Sequence, residues 1–378
     1  MRKGEYRMVS KESAYRGCLL GLAVGDALGY AVDGKTREEI IADYGPEGLR
    51  GYDLVNGYAD VTSYTQMAAY AAGGLLVGLT QGQLQGKMAP FVRYIGLGLR
   101  EWSEGQRTYR APERSHCWVA QVPQLRRRRC MDTRMLDRLN RGDTGTPEAP
   151  KNDSTHPGSL TNAVAVGLFF DPQRMNPRQI GPLGAEAVAL THGDPGTFLS
   201  GAVLAYVIAG IIQDPDTALQ DHFTQAAQVV AVQFGGTFPQ AVELKHQLAR
   251  TRTLANNGSL SPRTAMEHLK CTTAPEVLAG AMYACLKNPG DFDAAMVTAV
   301  NHSGRSCAVG AVAGAVLGAA LGEEALPEFY LECLEPAGTL RILADDLRLG
   351  CPMGKRAMLF DDTWDHKYVQ GLPPEKDD

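Results

Sequence analysis

Apolar and polar positions alternate along this chain in long blocks, and the block at 311–322 organises the rest. It is apolar or small almost throughout, and Gly310, Gly314, Gly318 and Gly322 recur every four residues. Spacing of four keeps positions on nearly one helical face, so the row is a groove against which another backbone can lie closely. A second row, Gly17, Gly21, Gly25 and Gly29, lies in a helix predicted over 15–32, with Ser10 or Ser13 as its cap. Two such rows near the two ends predict two helices in close contact. Membrane dimerisation is the other use of this spacing, but Arg16 and Asp26 on the first helix argue against it. The run 311–322, closed by Glu323-Glu324, falls short of the roughly 20 residues that span a bilayer, and 197–212 is expected to be a core helix on the same ground.

Helical periodicity continues elsewhere. Helices are predicted over 36–44, where Thr-Arg-Glu-Glu forms a capping pattern, and over 68–79, 90–102 and 177–190, with an apolar segment at 163–170. A basic helix is predicted over 125–140. Asp194 caps and Pro195 opens a helix to 212. Further helices are predicted over 216–232, 238–250 and 275–286; 292–300 leads into the 301–310 stretch, and 327–347 closes the globule. Between them lie a hydroxyl-rich loop at 61–67, a long polar loop at 141–159 and a short polar loop ending near Cys307. Alternating β-branched runs are nearly absent, no period of 20–50 residues repeats, and no composition break divides the chain. The pattern predicts an all-α fold: one orthogonal helical domain of about a dozen helices over 10–350, with a C-terminal extension over 351–378. The Pro- and charge-rich tail 371–378 is expected to be disordered.

Composition narrows the function classes. A net charge of −5 gives no electrostatic case for nucleic acid, and the run Arg126–Arg129 reads as a solvated helix face. The eight cysteines form no CxxC pair, so they read as reduced thiols and not as a disulfide or zinc framework. Met1-Arg2-Lys3-Gly4-Glu5 lacks a signal-peptide pattern, and a soluble, cytoplasmic protein is expected.

Candidate chemistry sits in the loops that meet small-residue helices. The stretch Asn301-His302-Ser303-Gly304-Arg305-Ser306-Cys307 precedes a helix start, where free N–H groups and the dipole favour anions. Asp26, on a strongly apolar helix, is expected to face a lined cavity. The segment Gly21-Leu22-Ala23-Val24-Gly25-Asp26-Ala27-Leu28-Gly29, with the loops at 62–67, 152–160 and 301–310, resembles the ADP-ribosylglycohydrolase family from about Tyr15 to Leu347. The resemblance implies a helical fold with two magnesium ions in a central cleft, where ADP-ribose is cut from a protein side chain or another acceptor. It implies a ligand site at Asp26, Thr62, Ser63, Tyr64, Ser154, Gly158, Ser159, Leu160, Asn301, Ser303 and Arg305.

The sequence departs from that family where the metals bind. Thr-Asp-Asp-Thr becomes Thr62-Ser63-Tyr64-Thr65, and the acidic places after Gly304 hold Arg305 and Cys307. The following hydroxyl ligand is Ala308, and the arginine that ends the substrate loop is Asn162. Magnesium needs hard oxygen ligands, usually with one or two carboxylates. Ser63, Tyr64 and Cys307 do not replace those charges, and Arg305 adds a permanent cation. No metal cofactor is therefore expected.

Three readings follow. The first is a relative without metal-dependent hydrolysis that binds an ADP-ribose-like nucleotide or an ADP-ribosylated protein, with Arg305 on the diphosphate. Equally, Arg305 only fills the vacated site, neutralised by Asp26 or Asp60. The second is a partner-binding protein whose cleft Tyr64 has closed. The third is an enzyme with new chemistry, with Cys307 as thiolate nucleophile and His302 as its base, or with Asp26 or Asp60 as general base.

Overall fold

The computed structural model describes residues 9–108, 111–354 and 360–374. The expectations for 1–5 and for 375–378 lie outside the described residues. Among those described there are seventeen α-helices and no β-strand; two isolated bridges, Val55 with Tyr58 and Ala59 with Leu334, are the extended pairings. The first half holds α1 (Lys11–Tyr30), α2 (Arg37–Tyr44), α3 (Ser63–Gln85), α4 (Phe91–Gly105), α5 (Thr133–Arg141), α6 (Asn162–Phe169), α7 (Ile180–Ala189) and α8 (Pro195–Gln213). The second holds α9 (Leu219–Phe234), α10 (Gln240–Asn256), α11 (Pro262–Leu269), α12 (Ala274–Lys287), α13 (Phe292–Val300) and α14 (Ser306–Leu321). Finally come α15 (Glu328–Glu332), α16 (Ala337–Leu349) and α17 (Asp362–Tyr368).

The two glycine rows meet. Gly17, Gly21 and Gly25 lie against the backbone of Gly318, Gly314 and Gly310, and Gly29 lies against Ser306 and Cys307. The numbers rise on one helix as they fall on the other, so α1 and α14 are antiparallel. A Cβ on Gly21 or Gly25 would sit inside contact distance of the opposing carbonyl oxygen. All sixteen positions of α1 from Ser13 to Gly29 other than Arg16 are buried. The pair is the centre of the core, and α3, α8, α12, α13 and α16 pack around it.

Several elements differ from expectation for local reasons. Helix α3 begins at Ser63, five residues earlier than its apolar run, because Asp26 caps its first turn from outside the segment. The expected basic helix over 125–140 is instead a 3-10 turn at Pro123–Arg126, an extended stretch, and α5 capped by Asp132. Pro336 divides 327–347 into α15 and α16. The run 197–212 belongs to a 19-residue helix, long and apolar enough to span a membrane, but 83% of that window is buried within the protein. Residues 371–374 are described in place, and the Gly371 carbonyl accepts from Ser115 Oγ at 2.9 Å. The extension also docks through α17. Trp364 Nε1 donates to Thr80 Oγ1 at 2.8 Å, and the buried Lys367 Nζ donates to both Asp346 oxygens at 2.7 and 2.6 Å.

Adding one methyl group separates the two kinds of glycine here. Gly21→Ala is expected to destabilise by about 1–3 kcal/mol or more through backbone overpacking. Gly338→Ala, at an exposed helical position with open space around it, is expected to stabilise by about 0.5 kcal/mol. Urea denaturation midpoints of the two variants check both signs.

Candidate functional site

The C-terminal end of α1 and the turn after it deliver two carboxylates to two helix starts. Asp26 is fully buried, and its oxygens accept from Thr62 N at 2.8 Å, Thr62 Oγ1 at 2.6 Å, Thr65 N at 3.2 Å and Thr65 Oγ1 at 2.6 Å. It therefore closes the first turn of α3. One turn beyond Gly29, Asp33 does the same for α14: its Oδ1 accepts from Cys307 N at 3.1 Å. The anion expected at that helix start is thus the chain's own carboxylate. Arg305 caps α14 without a side-chain bond, and its guanidinium stands 3.9 Å from Asp33, 44% exposed. The expected partners of Arg305, Asp26 and Asp60, are engaged elsewhere, and Asp33 takes their place.

Between these helix starts lies an open cleft of about 530 Å³. Thr62, Ser63, Tyr64, Ser154, Gly158, Arg305 and Cys307 line it, as expected. Tyr64 is buried along the wall and leaves the cleft open, so the expected plug is absent. Other expected residues are elsewhere. Asp26 is used up behind the wall, and Ser159, Leu160 and Ala308 are buried beneath it. Asn301 fastens Leu49 through a bond from Leu49 N at 2.7 Å and one to Leu49 O at 2.9 Å, and it lines a different groove. Ser303 joins Arg37 N to Glu267. The N–H of Gly158 already donates to His156 Nδ1 at 3.1 Å. Asn162, in the place of the family's arginine, is buried and donates to Ala187 O at 3.1 Å.

Sequence reasoning missed the opposite wall. Arg129, Cys130, Met131, Asp132 and Met135 line it, and Tyr30, Asp33, His156 and His192 complete the lining. A signal for Asp33 existed, since one more turn along the glycine face reaches past Gly29 towards the 301–307 loop. The run Arg126–Arg129 is also not a solvated face. Arg127 Nη1 donates to Asp60 at 2.7 Å, Arg129 ion-pairs with Asp60, and the Arg129 guanidinium lies 5.5 Å from the centre of the Tyr30 ring. Gln106 Oε1 accepts from Arg129 N at 2.7 Å and Cys130 N at 3.0 Å, and Gln66 Nε2 donates to Arg127 O at 2.9 Å. These two buried amides hold the segment that becomes the cleft wall. The histidine rings stack with centroids 6.0 Å apart. Burial pushes His192 down to about 3, so the ring is neutral, and its Nδ1 faces Ser159 Oγ at 2.9 Å and Thr191 Oγ1 at 2.8 Å.

The residues do not suit metal or thiolate chemistry. Of the carboxylates on the cleft, Asp33 caps α14 and Asp132 caps α5, where its Oδ1 accepts from Met135 N. Among the described residues no group of three or more His, Cys, Asp or Glu is placed to hold a metal ion. This donor set does not fit the two magnesium ions that the family resemblance implies. Burial and then Asp33 push the Cys307 thiol well above its ordinary range, the reverse of an activated nucleophile. His302 is not a free base: its Nε2 donates to Ala299 O at 2.9 Å, its Nδ1 accepts from Gly304 N at 2.9 Å, and burial pushes it down to about 4.

Two measurements check this electrostatic account. Alkylation at neutral pH is expected to modify the half-buried Cys333 and Cys351 ahead of Cys307, as read by peptide mass spectrometry; labelling led by Cys307 contradicts it. Burial lifts Asp26 from 3.8 to about 6 against its four hydrogen bonds. The folded chain then holds this proton to higher pH than the unfolded chain does. Its contribution is complete below the unfolded value and is lost as pH rises through about 6. Asp26→Asn is expected to remove a falling stability arm on the order of 3 kcal/mol between those values, measured by urea denaturation across pH.

Comparison with known proteins agrees with this frame. The ADP-ribosylglycohydrolase family model matches residues 8–356. A solved structure described as an "ADP-ribosylglycohydrolase-related protein complex" superposes with a TM-score of 0.60 at 23% identity, covering 90% of this chain and 99% of that one. At that identity it speaks for the fold alone. Comparison with curated protein sequences gives no match. With the family model spanning nearly the whole of an all-helical chain, the protein belongs to the ADP-ribosylglycohydrolase family.

Proposed function

We propose that this family member has lost metal-dependent hydrolysis of ADP-ribosyl linkages and binds an ADP-ribose-like nucleotide, free or on an ADP-ribosylated partner, in the cleft. The carrying observation is Arg305, a half-exposed guanidinium loosely paired to Asp33 on an open cleft. A planar cation there can grip a diphosphate through two parallel N–H bonds. The lining supports binding over catalysis. Its two carboxylates serve as helix caps, its thiol is held protonated, and both histidines are pushed below their ordinary value, His156 by burial and then by Arg305. The family positions Ser63, Tyr64, Arg305, Cys307 and Ala308 supply no carboxylate for a dication, so this reading includes no metal cofactor. A cytoplasmic setting goes with it.

ADP-ribose is expected to raise the Tm and to be recovered intact after incubation. Arg305→Ala should weaken binding by about 1.5–3 kcal/mol, the range for a hydrogen bond to a charged group. Titration calorimetry with a chelator present should give the same affinity as without it. An unchanged Tm at millimolar ADP-ribose, a tight two-ion magnesium isotherm, or release of ADP-ribose from a modified protein contradicts this reading.

A further inference from the structure

The segments that wall the cleft also wall a second cavity. Residues 33–37 and 301–307 present Asp33, Arg305 and Cys307 to the cleft. The same segments present Arg37 and Asn301 to a separate groove of about 340 Å³, which the start of α11 completes with Arg263. Both guanidiniums are half-buried. Among the described residues neither has a carboxylate within ion-pair distance. Arg263 Nη1 donates to the Pro46 carbonyl at 2.6 Å, while the Arg37 side chain makes no bond to another described residue; only its backbone N–H is engaged, with Ser303 Oγ at 2.9 Å.

Their places in the helices sharpen the point. Arg37 is the first residue of α2 and Arg263 the second of α11. A cation in the first turn opposes the helix dipole, so neither arginine is explained by helix stability. Two such charges converging on one cavity leave a local positive potential, and the nearest acidic side chain in the lining, Glu47, is exposed at the rim and pairs with neither. The remaining walls are mixed, with Pro46, Pro262 and Val297 beside the hydroxyls of Ser261 and Thr298.

We propose that this groove is a second ligand site, separate from the cleft, for a small phosphorylated molecule whose phosphate or diphosphate lies between Arg37 and Arg263 and whose body rests on the mixed wall of prolines, Val297 and hydroxyls. The assignment does not depend on what the cleft binds.

Calorimetric titration of the full chain with inorganic pyrophosphate tests it in an Arg305→Gln background, which removes the loosely paired cation of the cleft and leaves there Arg129, ion-paired with Asp60. That protein is expected to bind pyrophosphate, more weakly as salt is raised. Adding Arg37→Gln should weaken binding roughly tenfold or more, the loss of a charge-assisted bond. Because Arg263 also holds the Pro46 carbonyl, Arg37 carries the test, and Arg37→Lys should recover part of the affinity. No binding in the Arg305→Gln protein, or equal affinity with and without Arg37→Gln, overturns the second site. The cleft reading fails separately, through ADP-ribose binding that ignores Arg305.

Discussion

The backbone contact between α1 and α14 is the constraint on which the rest of this structure depends. Opposing carbonyls lie where any Cβ would sit, so the two helices approach as closely as helices can. The observed axial register sets Gly17, Gly21 and Gly25 against Gly318, Gly314 and Gly310, and a slip of one turn would bring a side chain from beyond one row onto the other. Register in turn determines where the end of α1 stops. It puts Asp26 beside the first turn of α3 and Asp33 beside the first turn of α14. The candidate cleft is the space left between those two helix starts.

The electrostatics of the cleft follow from this. A helix start leaves unpaired N–H groups and a partial positive charge, and here each is answered by a carboxylate of the chain itself. Asp26 is fully enclosed and raised by burial despite four hydrogen bonds; Asp33 is less enclosed and is raised by burial too, with Cys307 N–H and Arg305 opposing. Carboxylates committed in this way are poor candidates for a dication or a general base. What stays accessible is Arg305, hydroxyls and the His156 imidazole, whose ordinary value is pushed down by burial and then by Arg305.

The far wall depends on a different interaction. Gln66 and Gln106 sit in the core and use both ends of their amides, with Trp102 Nε1 donating to Gln66 Oε1 at 3.0 Å. A buried polar network is favourable only when every member is satisfied, and it then holds one conformation. Here it holds the backbone at 127–130, and ion pairs from Arg127 and Arg129 to Asp60 tie that segment to the approach to α3. The wall that brings Met131, Asp132 and Met135 to the cleft is therefore held largely from outside it, by Gln66, Gln106, Trp102, Arg127 and Asp60.

The sequence by itself determined the helical class, the pairing of the glycine rows, and the family, since each rests on local periodicity or on residues contiguous in the chain. It also marked part of the cleft, through Thr62–Tyr64, Ser154, Gly158, Arg305 and Cys307. It misplaced Asp26 as a cavity residue, and it set Asn301 and Ser303 in a site they do not line, because the direction of a side chain depends on the neighbours that receive it. It read Arg126–Arg129 as a helix face because four like charges look solvated when their partners, Asp60 and Glu335, are far away in sequence. Only tertiary structure could decide which carboxylate meets which cation, where α3 and α14 begin, and whether Tyr64 closes or lines the cleft. Each of these turns on contacts between segments distant in the chain, and periodicity carries no information about them.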